Sequence, residues 1–136
     1  MDFLFINMDK IKIIDNTIAF VKETLQGAEG GHDWFHIERV FKNAILIAKD
    51  ENVDEFVVSL GALLHDIADA KFYNGDETIG PKKARSFLET QKVDEEIIVH
   101  IENIIKFISF KSSFESGEKF TSLELNVIQD ADRLDA

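Results

Sequence analysis

The chain has 136 residues, enough for one domain with a substantial core, and 45% hydrophobic with 30% charged residues excludes a disordered tract. Its formal net charge of -11, with no basic stripe, argues against a nucleic-acid partner. Cysteine is absent, which removes disulfides and thiolate metal sites. No apolar run reaches the ~18 residues of a membrane span, and the first residues lack a signal-peptide pattern. The expected location is therefore the cytoplasm, with no membrane partner.

Taken in order, the elements are helical. Ile14, Ile18, Val21 and Leu25 share one face of a first helix that ends near Gly27. Residues 1–10 read as frayed, with Met8 an alternative start. Ile37, Val40, Phe41, Ala44 and Ala48 stripe a second helix. Phe56, Val57, Leu60, Leu63 and Leu64 stripe a third, whose start Asp54 and Glu55 favour. Residues 67–80 read as irregular. Pro81 suits the first position of a fourth helix carrying Ala84, Phe87 and Leu88.

Asp94 opens a fifth helix, with Ile97, Ile101, Ile104, Ile105 and Ile108 on its buried side. Glu96–Val99 is locally strand-like, but the helical period outweighs it. Thr121-Ser122-Leu123-Glu124 has capping-box spacing and introduces Leu125, Ile128 and Ala131. The pattern stops at Leu134-Asp135-Ala136 without a Gly or Pro, and reads as a fragment of a longer bundle. The expected fold is a single all-α domain over 1–136.

The chemistry concentrates at His65-Asp66, which closes the apolar run Phe56–Leu64. A carboxylate at a core edge must be paired, hydrogen-bonded or metal-bound. His36 upstream and Asp132 downstream sit in similarly apolar settings, and a bundle core lets separate helices converge such side chains on one ion. A single His or Asp in a helix is most often an ordinary residue; the four together point to a metal. Two imidazoles and two carboxylates suit one divalent transition metal: manganese first, then iron, cobalt, nickel or zinc.

These segments resemble the HD superfamily of metal-dependent phosphohydrolases. The resemblance covers about residues 30–136. It is carried by Gly31–Val40, Leu64–Phe72, Ile108–Lys111 and Gln129–Ala136, and looks narrowest toward small stand-alone bacterial members, some of them nucleoside triphosphate pyrophosphohydrolases. It implies an HD-domain bundle, here without its C-terminal helices, and His36, His65, Asp66 and Asp132 as metal ligands. Asp130 competes with Asp132, and the alignment on Ala-Asp-Arg-Leu favours Asp132.

The expected substrate is a small phosphorylated molecule, a nucleotide, cleaved at a phosphate ester or anhydride bond. The alternatives are a nucleoside monophosphatase, a cyclic-nucleotide phosphodiesterase, or a non-catalytic sensor module with a structural metal. Asp66 and Asp69 are the catalytic candidates, Asp69 to orient or deprotonate water. Ala70 departs from the acidic pair of guanosine-polyphosphate hydrolases. Lys71, Lys111 and Arg39 are the candidate phosphate contacts, although surface lysines need no such role and Arg39 could instead pair with an acid. His32 and Asp33 are candidate supports for a ligating imidazole, and Asp33 equally suits a helix N-cap. His100 reads as a core-boundary histidine. The Phe-rich stripes could close a homodimer or pack on a further segment.

Overall fold

The computed structural model describes the backbone of residues 3–27, 33–68, 75–108 and 120–135, and side chains from residue 8 onward. Among the described residues there are six helices and no strand: α1 (Phe3–Thr24), α2 (Trp34–Ala48), α3 (Glu55–Leu64), α4 (Ile79–Thr90), α5 (Glu95–Phe107) and α6 (Leu123–Leu134). No helix among them is long and apolar enough to cross a membrane.

α3 is the centre of the bundle. Every residue from Phe56 to Leu64 is buried, so this helix is apolar all round rather than striped. It packs against α1, α2, α5 and α6, while α4 packs on α5. The all-round burial follows from the sequence, whose only polar side chain inside that run is Ser59. Its hydroxyl donates back to Glu55 O at 2.7 Å. Asp54 starts the helix, its side chain accepting from the Phe56 and Val57 amides.

Several local expectations are revised by packing. α1 begins at Phe3, well ahead of the Ile14 stripe. Pro81 is the third residue of α4, not the first; it still lies in the opening turn, where an amide has no intrahelical acceptor. On α5 the fully buried residues are Ile98, Ile101, Ile104 and Phe107, with Ile97, Ile105 and Ile108 at the core's edge. The strand-like Glu96–Val99 stretch is helical.

The capping box at 121–124 is not made: its spacing would put Thr121 at the N-cap, and the helix starts one residue later. Ser122 caps α6 by accepting from the Leu125 amide at 3.0 Å. Glu124 instead accepts from the Asp54 amide at 2.9 Å, tying the starts of α6 and α3 together. Lys92 adopts φ 58° in the short turn between α4 and α5, a left-handed position a non-glycine residue occupies at some cost.

Candidate metal centre

Three helices deliver the site. α2 places His36 in its first turn, where the Asp33 side chain accepts from the His36 amide at 3.0 Å. α3 ends on His65, which caps its C-terminus. α6 presents Asp132 in its last turn. His36 Nε2 lies 3.3 Å from Asp132 Oδ1, and His65 Nε2 lies 3.5 Å from the same oxygen. The two rings meet edge to face with centroids 6.0 Å apart. One ligand atom from each of His36, His65 and Asp132 falls within 4.8 Å of the other two.

The far side of each ring assigns its tautomer. His65 Nδ1 lies 2.7 Å from Ala62 O, and a carbonyl can only accept, so Nδ1 carries the proton. His36 Nδ1 lies 2.6 Å from Asp135 Oδ2. Arg39 first, and then His36, holds the Asp135 carboxyl down at about 2, so it too is an acceptor near neutral pH. Both Nε2 atoms are thereby turned toward Asp132 Oδ1.

Three electron-pair donors aimed at one point repel unless positive charge sits among them. A proton supplies part of that charge: burial disfavours the His65 imidazolium, but Asp132, with Asp66 and the Ala62 carbonyl, outweighs it and raises the His65 pKa. The same contact with His65 lowers Asp132, against its partial desolvation. A divalent cation supplies more charge, and the donor set of two neutral imidazole nitrogens and a carboxylate fits one.

Asp66 follows His65 directly and is half-buried, but it lies outside the 4.8 Å group. Asp130 is exposed and faces Arg133 at 3.8 Å, so Asp132 is the carboxylate at the histidines. Asp33 is the N-cap of α2. Arg39 binds Asp135 through Nε at 2.5 Å and Nη2 at 3.0 Å. His32, Asp69, Lys71 and Lys111 lie outside the described residues.

His100 is elsewhere, its Nε2 3.0 Å from Ser122 Oγ at the opposite end of α6. Asp135 is the residue that sequence reasoning missed. Its signal was its place three residues after Asp132, on nearly the same face of a helical turn.

The HD domain family model matches residues 34–136. The chain is 31% identical over 134 residues to YpgQ of Bacillus subtilis strain 168, an alignment covering 95% of this chain and 62% of YpgQ. Among solved structures, an HD-superfamily hydrolase from Bacillus thuringiensis shares the fold at TM-score 0.72 with 40% identity, over 93% of this chain and 58% of that one. B. subtilis YpgQ in complex with ADP matches at TM-score 0.72 with 33% identity, over 93% of this chain and 60% of that one. The chain thus spans less than two thirds of the length of these relatives.

Proposed function

The chain belongs to the HD domain family, and on that premise we propose that it is a metal-dependent hydrolase of phosphate ester or anhydride bonds in a small nucleotide. The observation that carries the reading is the convergence of His36 Nε2, His65 Nε2 and Asp132 Oδ1, with both Nδ1 atoms committed to acceptors behind them. In this reading His36, His65, Asp132 and the adjacent Asp66 hold one divalent ion, manganese by preference. When bound, such an ion supplies Lewis acidity, acidifying water and offsetting phosphate charge. That charge matters here, because an anionic substrate must approach a protein of net charge -11.

A nucleotide is favoured because the related YpgQ has been crystallised with ADP. The finer reading is a nucleoside triphosphate cleaved at the α–β anhydride. Water adds to the α-phosphorus, the bridging P–O bond breaks, and a monophosphate and pyrophosphate leave. The test is a nucleotide panel incubated with manganese, with products resolved and Asp132→Ala as control. Manganese-dependent pyrophosphate plus monophosphate, lost in the variant, supports this reading. Orthophosphate from monophosphates moves the assignment to a phosphatase, and opening of cyclic nucleotides moves it to a phosphodiesterase. A metal-loaded protein with no turnover on the whole panel overturns the hydrolase.

A further inference from the structure

We propose that Asp135 and Arg39 form a positioning pair for the metal centre: Arg39 orients the Asp135 carboxylate, and Asp135 fixes His36 with Nε2 turned to Asp132. The inference rests on the metal-centre reading above and adds two residues to it. An imidazole can present either nitrogen to a metal, and can rotate about its χ2 bond to exchange Nδ1 for a carbon. What decides is the partner of the other nitrogen. For His65 that partner is backbone, Ala62 O, and it is fixed by the helix itself. For His36 it is a side chain contributed from 99 residues away, which must itself be held.

Arg39 does the holding. Its Nε and Nη2 reach Oδ1 and Oδ2 of Asp135, a two-point contact that sets the plane of the carboxylate as well as its place. The Asp135 side chain is only 10% exposed, whereas Arg39 is 56% exposed, so the carboxylate lies inside and the guanidinium covers it. The spacing is economical. Arg39 is three residues after His36 on α2, and Asp135, the C-cap of α6, is three after Asp132, so each helix with its cap supplies one ligand and one support. The support pair is neutral as a unit. It aims His36 without adding net charge to the ion's surroundings. Arg39 commits two of its five donors to Asp135, which gives it a positioning role whether or not the remaining donors meet phosphate.

The experiment compares wild type, Asp135→Ala and Arg39→Gln in three measurements. The tautomer of His36 is read in metal-free protein by long-range ¹H–¹⁵N NMR, manganese affinity by titration, and KM at saturating manganese. The expected result is a single Nδ1–H tautomer in wild type that becomes mixed in Asp135→Ala. Manganese affinity is expected to fall about 10–100-fold in Asp135→Ala and less in Arg39→Gln. Wild-type tautomer and affinity in both variants overturn the proposal. Arg39→Gln with raised KM and intact manganese affinity overturns Arg39's part and returns it to the substrate. If the wild type binds no manganese, the metal reading fails, and the tautomer comparison alone still decides whether Asp135 orients His36. If Asp135→Ala does not fold, Arg39→Gln, altered at an exposed side chain, carries the same comparison.

Discussion

Gly61 on α3 and Ile128 on α6 meet so closely that a Cβ on Gly61 would stand 2.7 Å from Ile128 Cδ1. His65 lies four residues beyond Gly61, and Asp132 four residues beyond Ile128. The close contact is therefore one turn along both helices from the ligand pair, and it lets His65 reach Asp132. Gly61→Ala adds a methyl against the terminal Cδ1 of the fully buried Ile128, which must shift within the core, and 3.4 Å from Ile104 Cδ1. Overpacking of this kind costs about 1–3 kcal/mol. The better helix propensity of alanine returns about 1 kcal/mol. The expected net loss is about 1 kcal/mol in denaturant unfolding. Ile128→Val removes the offending Cδ1, so the double variant should be more stable than the two single effects predict. Additivity within about 0.5 kcal/mol would show that the two side chains do not compete for this space.

Much of the site was legible because His36, His65 and Asp132 interrupt apolar periodicity, where an unpaired polar group is expensive. The central helix was legible for the same reason, as a run too apolar to face water. Asp135 was not. The pattern around Asp132 offers Asp130 and Asp135 alike, and only the fold shows that one faces Arg133 while the other meets a histidine 99 residues away. Glu124 is a parallel case: its spacing fits a local capping box, but the Asp54 amide of another helix takes its carboxylate. On α5, consecutive isoleucines leave the buried face ambiguous by one residue, and the neighbouring helices choose Ile98 over Ile97.

Metal loading should stabilise the fold. A ligand bound only by the native state, present at 100 times its Kd, contributes about 2.7 kcal/mol, or several degrees in the thermal midpoint of a domain this size. Manganese should raise the midpoint of the wild type and a chelator should reverse the rise. Asp132→Ala should abolish the manganese response. Asp66→Ala should at least halve the shift if Asp66 completes the ligand set. A full shift in Asp66→Ala would remove it from that set.

The two states should respond oppositely to pH. In the metal-free protein the His65–Asp132 contact raises His65 above 6.5 and lowers Asp132 below 3.8. A raised histidine stabilises fully below its unfolded value, and that contribution is lost as pH rises through the folded one. A lowered carboxylate stabilises above its unfolded value, and that contribution is lost as pH falls. The contact therefore contributes most between about 4 and 6.5 and fades on both sides. Manganese needs the histidines deprotonated, so its affinity should rise with pH. The gap in midpoint between loaded and metal-free protein should widen from pH 6 to pH 8. A gap that narrows over that range would rule out proton competition at these imidazoles.

Asp33 bears on His36 through the backbone. Its carboxylate accepts from the His36 amide, so Asp33→Ala should cost about 0.5–2 kcal/mol of stability, as loss of an N-cap does. Asp33→Ser keeps a capping oxygen but removes the charge, and should restore most of that stability. If the cap is its whole contribution, Asp33→Ser also keeps manganese affinity within about twofold of wild type. Serine that restores stability while manganese binding stays weak would assign Asp33 an electrostatic role at the metal, beyond starting α2. Paired unfolding and manganese titrations on the two variants separate these outcomes, because stability reads the cap and affinity reads the charge.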